Sequence, residues 1–314
     1  MAQLSQPPVT DSRTRQELYA QSCKQRNTAL LANRDAHLNE GIVIDDGGIP
    51  SDTDYRIPIR SYSSIPPEEH IGKNDVVIYY HGGGLYVGDL DSEDLTCRRI
   101  CKALGCTVYS VDYRLMTDYT ADDAFADAMT AFLGIIQLRK IRRLVLMGSS
   151  SGGQLAAMVS QEFQLNHSQS LDNVSIYGIL LRGPVTCDAT KDGINLPPRF
   201  KEYHTSMSKA FHTSILSSPA VNTENRVERM MPLEGNLSGL PRHWIQVSTN
   251  DIYYSDGMLY AEALRELGVK VELDIVAGWP HTFWLKAPEL ERAVQAEVDM
   301  INGLRWLFED VSSA

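Results

Sequence analysis

Cysteine is scarce in this chain and carries no pairing pattern. The five cysteines (Cys23, Cys97, Cys101, Cys106 and Cys187) are odd in number and include no C-x-x-C pair, which argues against a disulfide framework or a zinc site. Cys97 and Cys101 lie one helical turn apart with no second ligand pair nearby, so no metal is expected. Reduced, buried thiols in a cytoplasmic protein fit this usage. Long apolar runs are also missing, and nothing approaches the roughly 20 residues of a membrane span. The first 16 residues are polar, with Pro7 and Pro8, and no apolar core follows a basic start. A secretory signal is therefore not expected. Positive charge is in deficit: 29 Lys and Arg face 40 Asp and Glu, a formal net charge of −11. Such a chain repels phosphate backbones, and nucleic acid is not an expected partner. The one dense basic cluster (Arg139, Lys140, Arg142, Arg143) reads as a solvated connection, with an anion-steering patch as the alternative.

Internal repeats and low-complexity linkers are absent as well. With 43 % hydrophobic and 22 % charged residues over 314 positions, the chain fits a single α/β domain with inserted segments. Residues 11–38 have apolar spacing compatible with one or two helices. Gly41–Asp45 and Tyr55–Tyr62 read as strands around the turn Asp46-Gly47-Gly48. From DVVIYY (75–80) onward, short apolar strands alternate with helices: strands at 106–112, 143–147, 175–181, 243–247 and 271–276, helices at 92–104, 121–138, 153–163, 255–267 and 288–308. This alternation predicts a mostly parallel sheet covered by helices on both faces. Active groups in such sheets gather where strands end and helices begin.

Two motifs stand at such points. Gly148-Ser149-Ser150-Ser151-Gly152-Gly153 follows the strand RLVLM and precedes a helix. A serine there must turn sharply, so its neighbours must be small and its hydroxyl is exposed above the sheet edge. A bare Gly/Ser turn is the alternative. A phosphate loop is excluded because Gln154-Leu155 stands where Lys-Ser/Thr is required. His81-Gly82-Gly83-Gly84 follows DVVIYY, and its three glycines can aim backbone N–H groups at a carbonyl oxygen as an oxyanion hole. A flexible loop is the alternative, and a dinucleotide fingerprint fails because Val87 replaces the last glycine. His81 reads as a structural hydrogen-bonding group rather than a base. With the order Ser, acid, His, His281 in the loop after strand 271–276 is the expected base. His243 opens a strand at the wrong edge, and His204 and His212 fall in an irregular stretch. Asp251, following HWIQVST, is the expected acid. Asp256 competes but reads as a helix cap, and Asp274 is mid-strand. Leu85, Tyr86, Trp279, Phe283 and Trp284 adjoin the site and read as lining an apolar acyl or alcohol pocket, with core packing as the alternative for each aromatic.

These pieces together, HGGGLYVGD (81–89), SVDYRL (110–115), GSSSGG (148–153), LSGLPRHWIQVSTNDIYYSDG (237–257) and WPHTF around His281, resemble the hormone-sensitive-lipase-like branch of the α/β-hydrolases. The resemblance implies an eight-stranded mixed sheet and hydrolysis of short- to medium-chain esters without a cofactor. It implies Ser150 as nucleophile and the N–H groups of Gly83, Gly84 and Ser151 as oxyanion donors. It also implies a helical cap built from about residues 1–40 and 188–235; a disordered N-terminal tail is the alternative. The chain departs from the family in having Ser149 where an acid usually precedes the nucleophile and Ser151 where alanine follows. It also has Met116-Thr-Asp-Tyr-Thr in place of a Pro-rich loop, and Thr282 where glycine is common. Divergent members include esterases of fungal secondary metabolism. The expected partners are a small-molecule ester and, at most, a second copy of the chain. Acyl transfer or cyclisation through the same acyl-enzyme, and a non-catalytic receptor on this fold, are the competing functions; the intact His281 speaks against the receptor.

Overall fold

The strand DVVIYY has no polar alternation because both of its faces are covered. In the computed structural model Val76, Ile78 and Tyr80 point into one hydrophobic core, and Val77 and Tyr79 into another on the opposite face. The same division runs through the neighbouring strand, with Leu144 and Leu146 on one side and Val145 and Met147 on the other. Successive side chains of a strand alternate between faces, so a strand covered on both must be apolar throughout.

The structure describes residues 11–51, 54–64, 75–116, 118–139, 143–166, 174–187 and 231–309. The strands are β1 (Ile42–Pro50), β2 (Arg56–Ser64), β3 (Asp75–Tyr80), β4 (Thr107–Val111), β5 (Arg143–Ser149), β6 (Ser175–Arg182), β7 (Arg242–Ser248) and β8 (Val271–Val276). They form one sheet in the order β1-β2-β4-β3-β5-β6-β7-β8. β1 and β2 pair antiparallel, as do β2 and β4, and the remaining pairs are parallel. The helices are α1 (Ser12–Leu31), α2 (Asp94–Leu104), α3 (Ala121–Arg139), α4 (Ser151–Asn166), α5 (Tyr254–Glu266), the single turn α6 (Phe283–Lys286) and α7 (Glu291–Phe308). Side chains from α3, α4 and α5 complete one core, and those of α2 and α7 the other. This is an α/β-hydrolase architecture. No helix among the described residues is long and apolar enough to cross a membrane.

The hairpin expected at the N-terminal side is present, but its turn is elsewhere. Gly47 pairs with Ile59 and Gly48 with Pro58 inside the β1–β2 ladder, and the chain reverses after Pro50, where the Ser51 N–H donates to the Tyr55 carbonyl. Neither glycine has a positive φ, so the Asp-Gly-Gly signal marks extended backbone instead of a turn.

Helix α1 is held to the domain by its polar side chains. Gln16 donates to the Tyr86 carbonyl at 2.9 Å, Asn27 to that of Asp91 at 2.6 Å, and Arg26 to those of Leu285 (2.9 Å) and Ser92 (3.2 Å). Gln16, Arg26 and Asn27 thus tie α1 to the loops at the carboxyl edge of the sheet, residues 37–39 meet Arg98 and Lys102 of α2, and residues 1–10 lie outside the described residues. Of the second expected cap segment, 188–230 also lies outside them. Its end returns over α4, where Gln161 donates to the Pro232 carbonyl at 2.8 Å. The basic cluster is described in part: Arg143 is paired with Asp75 at 2.7 Å, and 140–142 lie outside.

A buried ion pair joins the sheet to α7. Arg182, fully buried at the end of β6, contacts Glu297 at 2.6 Å, donates to Gln246 at 2.9 Å and lies 4.0 Å over the Trp284 ring. Burial alone would raise the Glu297 carboxyl, but Arg182 and Arg99 beside it hold it below its ordinary value. Its stabilising contribution is complete above the ordinary glutamate value of about 4.3 and is lost as pH falls through the lowered folded value. Glu297→Ala should cost about 3–5 kcal/mol in urea unfolding at neutral pH, because it strands the Arg182 charge. Glu297→Gln should flatten the acid limb of a stability–pH curve.

Candidate active site

The turn between β5 and α4 is shaped by a close crossing of chains. A Cβ on Gly152 would lie 2.0 Å from the Tyr80 carbonyl oxygen, and one on Gly148 would lie 2.2 Å from the Gly152 carbonyl carbon. Only glycine fits at either place, so the helix starts directly against the end of β3. Ser150, between them, is forced to φ +53°. Its N–H donates to the Arg182 carbonyl at 2.9 Å, and only 6 % of its surface is exposed.

Three elements bring their ends to this serine. His281, in the loop after β8, places Nε2 at 2.8 Å from Ser150 Oγ. Its Nδ1 lies 2.7 Å from Asp251 Oδ2, on the loop after β7. A carboxylate can only accept, so the ring proton sits on Nδ1 and leaves Nε2 as the acceptor for the serine hydroxyl. Asp251 is buried and also accepts the Tyr253 N–H at 2.8 Å. The arrangement can draw a proton from Ser150 and stabilise the resulting imidazolium.

The competing carboxylates are elsewhere. Asp256 does not cap α5; it lies inside that helix, fully buried, and accepts the N–H groups of Thr186 (3.0 Å) and Cys187 (3.2 Å). It secures the segment after β6, a role invisible to local spacing. Asp274 accepts from Gln246 at 2.8 Å. His243 is buried at the opposite edge, its Nδ1 at 2.8 Å from the Pro241 carbonyl, and burial lowers its pKa to about 4. His204 and His212 lie outside the described residues.

The HGGG loop sits beside the serine turn. Gly83 has φ +131° and Gly84 φ +67°, and the N–H groups of Tyr86 and Val87 donate back to the Gly83 carbonyl at 3.1 and 3.2 Å. Ser151 opens α4, where backbone N–H groups have no partner within the helix. Its hydroxyl accepts the Leu85 N–H at 3.3 Å, so the serine that replaces the family's alanine ties the two turns together. His81 is fully buried, stacked on Tyr113 at 4.3 Å with Nδ1 at 2.8 Å from the Gly82 carbonyl. It supports the loop and does not reach Ser150.

The expected pocket residues divide. Leu85 is buried in the larger core, and Phe283 and Trp284 pack with Val276, Ala293 and Ala296. Core packing claims these three; Phe283 and Trp284 belong to α6, which packs against α7. Trp279 is partly buried against Phe283 at 4.9 Å, and Tyr86 is half-buried with its carbonyl held by Gln16.

Two features escaped sequence reasoning. One is Tyr253, whose ring meets His281 edge-on at 5.1 Å. The other is Gly183, directly after β6, with φ +53°. A Cβ there would lie 3.2 Å from Asp251 Oδ2 and 3.3 Å from the His281 ring. Among the described residues only Leu85, Ser150 and Thr282 are non-glycine with positive φ, and all three flank this site. Such strain concentrates where function requires it. Gly183→Ala should therefore lower turnover by about ten- to a hundredfold by displacing the Asp251–His281 pair, read as kcat for an activated ester with the fold checked by circular dichroism.

Comparison with known proteins bears on the family. A protein of Aspergillus terreus named FAD-linked oxidoreductase is 28 % identical over 259 residues, but that match covers 80 % of this chain and only 31 % of the larger protein. Versiconal hemiacetal acetate esterase of Emericella nidulans is 26 % identical over 263 residues, covering 81 % of this chain and 88 % of that one. Other relatives are named ethyl acetate hydrolase and carboxylic ester hydrolase. Among solved structures, the Pyrobaculum calidifontis esterase superposes with a TM-score of 0.73 at 23 % identity, covering 96 % of this chain and 95 % of that one. A family model described as the alpha/beta hydrolase fold matches residues 77–285. The chain thus belongs to the α/β-hydrolase family, in its hormone-sensitive-lipase-like branch, among relatives named for hydrolysing carboxylic esters.

Proposed function

We propose that this protein is a serine hydrolase of small carboxylic esters, working through Ser150, His281 and Asp251. The observation that carries the reading is the unbroken line of hydrogen bonds, 2.8 Å from serine to imidazole and 2.7 Å from imidazole to carboxylate. His281 takes the Ser150 proton as Oγ attacks the ester carbonyl. The N–H groups of Gly83, Gly84 and Ser151 receive the oxyanion. His281 returns the proton to the departing alcohol, then activates a water that frees the acid from the acyl-enzyme. Every proton is balanced within these groups, and the cycle calls for no cofactor. The relatives' names support esters with a short acyl group, acetates first, including acetylated natural products of the kind a fungal hemiacetal acetate esterase takes. α1, held to the carbonyls of Tyr86, Asp91 and Leu285, serves as part of a cap over the acyl site.

A fluorophosphonate should add one label to the protein, on Ser150, by intact mass and peptide mapping. Ser150→Ala should take none, whereas Ser149→Ala and Ser151→Ala should still react. Asp251→Asn should lower turnover of p-nitrophenyl acetate by about ten-thousandfold by holding the wrong imidazole tautomer. Labelling that persists in Ser150→Ala sinks the assignment.

The cap assignment has its own test. Deleting residues 1–35 should leave fluorophosphonate labelling intact but erase discrimination among p-nitrophenyl esters of increasing chain length. Unchanged selectivity and thermal stability would show that α1 has no part in the site.

A further inference from the structure

We propose that Glu93 is a positioning residue for catalysis, clamping the oxyanion loop to the nucleophile turn through one buried carboxylate. The inference rests on the hydrolase reading above and adds to it a residue outside the triad and the oxyanion hole. Glu93 stands immediately before α2 and is only 3 % exposed. Its Oε1 accepts the Gly82 N–H at 2.9 Å and also the Ser149 hydroxyl, while its Oε2 accepts the Tyr79 hydroxyl. Gly82 directly precedes the first expected oxyanion donor, and Ser149 directly precedes the nucleophile. A single carboxylate oxygen thus joins the two chain segments whose relative position decides whether donors and nucleophile face one carbonyl.

A carboxylate taken out of water is costly unless its lone pairs are occupied. Here three donors occupy them, and Tyr79 anchors the group in the middle of the sheet. The two turns are already in contact, since a Cβ on Gly82 would lie 3.0 Å from Ser149 Oγ. Small rotations of either turn therefore change the distance from the Gly83 and Gly84 N–H groups to an oxygen held at Ser150. The arrangement also accounts for Ser149. The related sequences usually carry an acid directly before the nucleophile; in this chain that residue is a serine that donates to an acid 56 residues earlier in the chain.

Stabilisation of an oxyanion is expressed in the transition state and hardly at all in substrate binding, so loss of the clamp should fall on kcat. Fluorophosphonate titration counts competent sites, and kcat per labelled site separates positioning from mere loss of fold. In Glu93→Gln, close in shape but uncharged, kcat per labelled site for p-nitrophenyl acetate should fall about tenfold with KM within about twofold, and labelling should be slower yet complete. In Glu93→Ala the fall should approach about a hundredfold, and adding Ser149→Asp, which returns a carboxylate to the same place, should recover about tenfold of it. The proposal is overturned if Glu93→Gln keeps wild-type kcat and labelling rate. It is equally overturned if lost activity tracks only the labelled fraction, or if KM rises while kcat per site stays constant. A wild type that labels at Ser150 but turns over no ester contradicts the hydrolase reading instead, and the labelling rates of the Glu93 variants still decide this one.

Discussion

The close crossing of the β5–α4 turn against the end of β3 is the constraint on which the site depends. The Tyr80 and His81 carbonyl oxygens occupy the space where a side chain at position 152 would stand. That contact fixes where α4 begins, how sharply Ser150 turns, and how near the HGGG loop comes to it. The strain at Ser150 is affordable because the parallel ladders on both sides of β5 hold the turn from below.

Around this crossing several buried polar side chains meet groups from distant parts of the chain. Glu93 meets Gly82, Ser149 and Tyr79; Asp256 meets Thr186 and Cys187; Arg182 meets Glu297 and Gln246. Buried charges of this kind do little for net stability when intact, yet each is costly to break. The Ser150 N–H held by the Arg182 carbonyl, and the Arg182 guanidinium against the Trp284 ring, link the serine turn to the segment that follows His281.

Three of the departures from the family pattern, Ser149, Ser151 and Thr282, have local contacts that account for them. The Ser151 hydroxyl reaches the Leu85 N–H. Ser149 donates to Glu93. Thr282 adopts φ +51°, a conformation that favours glycine, and its hydroxyl donates to the His281 carbonyl at 2.8 Å. These substitutions stand around Ser150, His281 and Asp251 without breaking the hydrogen bonds that join them.

The sequence by itself determined the alternation of strands and helices, the serine turn, the glycine loop and the loop histidine. Each depends on neighbouring residues: period-two burial, steric limits on a tight turn, and the side-chain-free backbone of consecutive glycines. Local pattern misled at Asp46-Gly47-Gly48, because an Asp-Gly-Gly run fits a turn and an extended strand equally well until a partner strand pairs with it. It also left open whether Phe283 and Trp284 belong to a pocket or to the core, since aromatic residues suit both. Only the tertiary structure packed Phe283 and Trp284 into a buried cluster, gave Asp256 its partners Thr186 and Cys187, and brought Glu93 and Gly183 beside the serine turn. Those roles come from packing between segments distant in sequence, where sheet order, and not residue spacing, decides which groups meet.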